Sequence, residues 1–114
     1  MKPDLVRGHL DVMLLAIVGD GPIHGYAALE ELKQRSGGVF DLPEGTVYPA
    51  LHRLESAGLL ASRWSKDSGR RRRVYDITKR GRAALQTERQ DFAALVAGVE
   101  AVLKGAPWPR TAMI

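Results

Sequence analysis

Four consecutive arginines, Arg70, Arg71, Arg72 and Arg73, form the most strongly charged stretch of this 114-residue chain. A guanidinium is permanently charged and presents a planar fork of donors that matches an oxyanion. Lys66 lies just upstream, and Lys79, Arg80 and Arg82 follow closely. Ahead of the run, Thr46, Tyr48, Pro49, His52 and Arg53 share one side of a short helical pattern. Hydroxyl, imidazole and guanidinium groups in such an array can hydrogen-bond phosphates and base edges, and an arginine suits guanine in particular. The chemistry on offer is polyanion binding. The net charge of +4 and the pI near 9.8 agree with it.

Catalysis finds no support. A nucleophile needs a base within reach, and nothing resembles a Gly-x-Ser-x-Gly elbow or a phosphate-cradling glycine loop. Glu30 and Glu31 are adjacent, so on a helix they point to different sides. His9, His24 and His52 form no ligand pair on one helix, and the chain has no cysteine. No metal and no cofactor is expected, and the chain is not expected to be an enzyme. The lack of cysteine also excludes a disulfide framework and suits a reducing cytoplasm. The apolar run Val12 to Val18 is far shorter than the roughly 20 residues that span a bilayer. Neither a targeting segment nor a membrane partner is expected, and the location expected is cytoplasmic.

The elements that must position these groups are legible as periodicities. With 45% hydrophobic and 26% charged residues, the chain reads as one folded domain. Residues 1–8 read as a polar lead-in. His9 to Val18 is apolar almost all round, so the helix predicted there must be covered on more than one side. One cover can be a second copy of the chain, with Leu10 and Leu14 as contacts. A second helix is predicted from His24 to Ser36, with Tyr26, Leu29 and Leu32 at helical spacing, stopped by Gly37-Gly38. The third helix is predicted to start near Gly45 or Thr46, because Pro49 belongs in a first turn. Its apolar face is Val47, Ala50, Leu51 and Leu54, and Gly58 is placed to end it.

Leu59 to Lys66 and Arg72 to Ile77 read as two strands joined by a turn at Asp67-Ser68-Gly69, with the arginines at the turn. Trp64 is expected to pack under this hairpin. A long helix from Lys79 to about Leu103 follows, capped by Thr78 and about 37 Å long. Leu85, Phe92 and Val99 are spaced by sevens, and Leu95 and Val102 share a second seam position, with Val96 and Leu103 alongside. Such a stripe, interrupted at Glu88, predicts packing against another copy.

The fold class expected is mainly α with a small two-stranded β wing (α+β), a winged helix-turn-helix with a long C-terminal dimerisation helix. Residues 1–78 would form the DNA-binding domain, 79–104 the dimerisation helix and 105–114, with Trp108, a flexible tail. The third helix would enter the major groove of double-stranded DNA and the hairpin would neutralise phosphates. Candidate DNA contacts are Tyr26, Thr46, Tyr48, Pro49, His52, Arg53, Lys66, Arg70, Arg71, Arg72 and Arg73. Strand alternation sends neighbouring arginines to opposite faces, and the sequence leaves open which of them touch DNA. A plainer alternative is a solvated arginine turn, with Tyr26 and Tyr48 as core aromatics. A runner-up function is a winged helix that binds an acidic protein partner.

The same residues carry a family resemblance. His24-Gly25-Tyr26, then Leu42 to Leu51 (LPEGTVYPAL), Leu54 to Leu59 (LESAGL), Gly69 to Tyr75 (GRRRRVY), Ile77-Thr78 and Gly81 resemble the PadR family of bacterial transcriptional regulators. The resemblance covers roughly residues 9 to 103, and the short single C-terminal helix is similar to the compact subfamily. It implies a homodimeric winged-helix repressor, often released from its operator by a small molecule. Some compact members hold planar aromatic drugs between tryptophans on the terminal helix. This helix instead offers Phe92, Ala93, Ala94, Ala97 and Gly98, and the nearest tryptophan is Trp108.

Overall fold

In the computed structural model, residues 3–67 and 69–105 are described. The expected tail, with Trp108, lies outside the described residues except for Gly105. The fold is built around α2 (Leu10–Gly19), whose Leu14 and Leu15 are fully enclosed. Four elements of the same chain wrap it: α3 (Gly25–Arg35), α4 (Glu44–Ser56), β3 (Arg70–Ile77) and α5 (Lys79–Lys104). Most of the apolar surface of α2 is therefore covered internally, while Val12, Met13 and Ala16 stay half-buried along an open groove. This corrects the expectation for Leu10 and Leu14: both are buried in the core of their own chain and present no surface to a second copy. The lead-in is also more ordered than expected. It contains a short helix, α1 (Pro3–Arg7), anchored by buried Val6.

Helix α3 buries Ala28, Leu29 and Leu32, and α4 buries Val47, Ala50, Leu51 and Leu54. The start of α4 departs from expectation. It begins at Glu44 with Pro43 as N-cap, which places Pro49 at the sixth helical position, beyond the first turn. The missing N–H of Pro49 leaves the carbonyl of Gly45 without its helical donor. Gly45 is exposed, so water can serve that carbonyl.

The sheet has three strands, not two. A two-residue strand, β1 (Ile23–His24), pairs with β3 as Ile23↔Tyr75 and His24↔Val74, giving the order β1-β3-β2 with β2 (Leu60–Asp67). Two residues are too few to show alternation in sequence. Strand β3 is longer than predicted and contains all four arginines, so they lie on a strand and not at the turn. Pairing across β2 and β3 continues to Asp67↔Arg70, and Gly69 in the turn has φ +78°.

Helix α5 is capped as predicted. The Thr78 hydroxyl accepts from the Gly81 N–H at 3.0 Å and donates to the Gly58 carbonyl at 2.7 Å. Gly81 lies so close to β2 that a Cβ there would meet the Leu59 oxygen at 2.0 Å. Ala84 and Leu85 pack on the core, and Phe92 meets His9 edge to face at 5.2 Å between ring centroids. Beyond that point the helix leaves the body. The molecule measures 71 × 29 × 20 Å with a radius of gyration of 18.0 Å, against about 13 Å for a compact chain of this size.

Candidate nucleic-acid interface

Rotation about α4 by 100° per residue fixes what the helix shows to solvent. With Val47, Ala50, Leu51 and Leu54 inward, the opposite side carries Gly45, Pro49, His52 and Ser56, all exposed, with half-buried Tyr48 at its edge. Thr46 and Arg53 lie on one flank. Arg53 is ion-paired there with Asp11 of α2, so its guanidinium is drawn toward the body and not straight outward. Glu55 lies on the other flank, facing the wing.

The exit of α4 aims the wing. Gly58 has φ +79°; its N–H bonds to the Glu55 carbonyl at 2.9 Å and the Leu59 N–H bonds to the Leu54 carbonyl at 3.0 Å. This pair closes the helix as a Schellman motif and sends the chain directly into β2. Side chains then tie wing to helix. The Ser62 hydroxyl donates to Glu55 Oε2 at 2.5 Å, and Arg73 Nε donates to the Ser62 Oγ at 2.8 Å. Arg73 Nη2 also lies 3.7 Å from Glu55 Oε2.

Between α4, the start of α3 and β3 lies a cleft of about 700 Å³. Tyr26, Tyr48, His52, Arg70, Arg72 and Arg73 are among its walls. Tyr26 is 59% exposed, so it is not a core aromatic. Tyr48 packs tightly on Gly25, where a Cβ would come within 2.6 Å of its ring. Burial, then the charge of Glu44 and the neighbouring Tyr26, hold the Tyr48 hydroxyl above its ordinary pKa. It stays a protonated donor at neutral pH.

The structure thus brings Tyr26, Tyr48, His52, Arg70, Arg72 and Arg73 to one cleft, with Pro49 and Thr46 exposed beside it on α4. Lys66 and Arg71 are exposed and paired in register farther along the wing. Trp64 corrects an expectation: it is 56% exposed and does not pack under the hairpin. Its ring lies 4.8 Å from the Arg71 guanidinium and 5.2 Å from that of Arg73. Sequence reasoning missed His24, which lines the cleft with a buried Nδ1 that has no hydrogen-bond partner among the described residues. It also missed Asp11, whose partner is 42 positions away and leaves no local signal.

Helices α2, α3 and α4 packed round one core, α4 with a polar face outward and a basic hairpin directly after it define a winged helix-turn-helix. The chain belongs to the transcriptional regulator PadR-like family, whose sequence profile matches residues 14–87. It is 38% identical over 89 residues to the transcriptional regulator Rv3488 of Mycobacterium tuberculosis, covering 78% of this chain and 80% of that one. A PadR family transcriptional regulator from Eggerthella lenta superposes with a TM-score of 0.80 at 31% identity, covering 90% of this chain and 88% of that one. A PadR-like transcriptional regulator from Bacillus cereus gives 0.79 at 25% identity, covering 90% and 99%. The chain is a PadR-family transcriptional regulator and not an enzyme, and the family implies regulation through DNA binding. Among the described residues, no helix is long and apolar enough to cross a membrane.

Proposed function

We propose that the chain is a homodimeric repressor that acts in the cytoplasm on an inverted-repeat operator. Each copy would lay α4 in the major groove, with the β2–β3 wing on the flanking phosphates. The observation that carries this reading is the cleft that joins Tyr48 and His52 of α4 to Arg70, Arg72 and Arg73 of the wing. A DNA phosphate there would meet donors on both walls.

Dimerisation is supported by the far half of α5. Leu95, Val99, Val102 and Leu103 are all exposed, and Val102 reaches 79%. An apolar ridge on a helix that has left its own body calls for a partner, and the same ridge on a second copy is self-complementary. Two-fold symmetry of the protein then requires two-fold symmetry of the operator, with half-sites about one helical turn, roughly 10 base pairs, apart. A small-molecule effector would act where α5 meets the body. An apolar groove of about 720 Å³ lies there, with Leu5, Val12, Met13, Phe40 and Phe92 among its walls.

Selection of bound fragments from sheared genomic DNA with the purified protein tests the reading. The expected result is a small set of fragments sharing a dyad-symmetric sequence, protected on both half-sites in a footprint. Recovery of fragments without a common dyad would overturn the inverted-repeat reading.

A further inference from the structure

The pairing register separates the four wing arginines into two sets. Trp64↔Arg73 and Lys66↔Arg71 are opposed pairs, so Trp64, Lys66, Arg71 and Arg73 share one face of the hairpin. Ser65↔Arg72 and Asp67↔Arg70 are also opposed, and Arg70 and Arg72 share the other face. The two sets have different surroundings. Arg73 is engaged with Ser62 and Glu55 and lies against Trp64, and Arg71 lies against the same ring. Arg70 and Arg72 are exposed and have no hydrogen bond, ion pair or ring contact to a side chain among the described residues; Arg73 reaches the same cleft, but as a half-buried side chain already held by Ser62 and Glu55.

Trp64 explains where two of the arginines are held. No core element covers its ring, and a guanidinium over an indole face is an attractive electrostatic contact. The stack Arg71–Trp64–Arg73 runs on through Ser62 to Glu55 at the end of α4. It therefore links the wing to the recognition helix.

We infer that the wing arginines divide their work: Arg70 and Arg72 neutralise phosphates of duplex DNA, whereas Arg71 and Arg73 are positioning residues that clamp Trp64 and fix the wing relative to α4. This assignment rests on the DNA-binding reading above. Each phosphate contact contributes about 0.9 to the slope of log affinity against log salt, so the two sets differ in a measurable way.

The test uses the full chain carrying Trp108→Phe, which leaves Trp64 as the single indole, and a 30-base-pair duplex of mixed sequence. Affinity is measured at several salt concentrations, and Trp64 emission is recorded without DNA. Arg70→Ala with Arg72→Ala should lower the slope by about 2 and leave the emission unchanged. Arg71→Ala with Arg73→Ala should leave the slope within about half a unit of the parent and change the emission. Arg71→Lys with Arg73→Lys should keep the slope and fail to restore the emission, because an ammonium lacks the flat guanidinium. Equal slope losses in the two alanine pairs, or a loss confined to Arg71 and Arg73, would overturn the division. A parent protein whose binding shows no salt slope would remove the DNA reading itself, and this assignment with it. All four side chains are at least partly exposed, so a cooperative melt near the parent's is expected for each variant and confirms that the wing effects are local.

Discussion

Arg53 on α4 is ion-paired with Asp11 on α2, and the two side chains are 57% and 35% exposed. An exposed pair of this kind contributes about 0.2–1 kcal/mol and is screened by salt. A phosphate or a guanine edge can compete with it. Asp11→Asn should release Arg53, remove a negative charge near the DNA and tighten binding by up to about 1 kcal/mol. Arg53→Ala should weaken binding by about 1–3 kcal/mol at one operator position if the side chain leaves Asp11 for a base. Titrations of both single variants and the double variant check this. Weaker binding by Asp11→Asn would mean that the pair serves to hold α4 in place.

The apolar ridge of α5 makes the oligomeric state testable without disturbing the body. Phe92 touches His9 within the chain, so a charge there would confuse two effects. Val99 and Val102 are both exposed. Val99→Asp with Val102→Asp should give a folded monomer in sedimentation velocity, and should weaken operator binding by about 100-fold or more through loss of two-headed attachment. A dimer persisting in this variant would place the interface elsewhere.

Two glycines on α5 should respond in opposite ways. Gly81 abuts the Leu59 carbonyl, with no room for a Cβ, so Gly81→Ala should cost about 3 kcal/mol or more and lower the melting temperature sharply. Among the described residues, nothing beyond the helix's own backbone lies within 4 Å of a Cβ at Gly98. Gly98→Ala should stabilise the isolated monomer by up to about 1 kcal/mol through helix propensity. Made in the Val99→Asp, Val102→Asp background, it is read by thermal unfolding.

Glu88 offers a pH test. Burial, then the charges of Asp11 and Asp91, raise its pKa above the ordinary carboxylate value. The folded state therefore holds the proton more tightly than the unfolded state. Between the unfolded and folded pKa values, stability falls as pH rises, because the fold must accept a charge it disfavours. Glu88→Gln should raise the melting temperature at pH 7 and change it little at pH 4. An equal gain at both values would point to packing and not charge.

Much of this architecture is written in short-range patterns. The alternation and turn residues of residues 59–77 specify the hairpin, the apolar faces of α3 and α4 specify their inward sides, and Thr78 specifies the start of α5. Chemistry of single residues does the rest: four adjacent arginines with few acids nearby can only favour an anion. Other features depend on partners distant in sequence. β1 exists because β3 offers a free edge, and its two residues carry no period of their own. Leu10 and Leu14 looked available to a second copy because periodicity counts apolar faces without saying which element covers them. The ion pair of Arg53 was not legible because Asp11 is 42 positions away, and the placement of Trp64 changed because two arginines of the opposing strand reach it before the core does. The sequence by itself determined the main helices, the hairpin, the fold class and the basic character of the wing, since propensity, pattern and charge act locally. Only the tertiary structure decided which cations remain available to that partner, because a guanidinium commits to whatever carboxylate or ring the fold brings within a few ångströms.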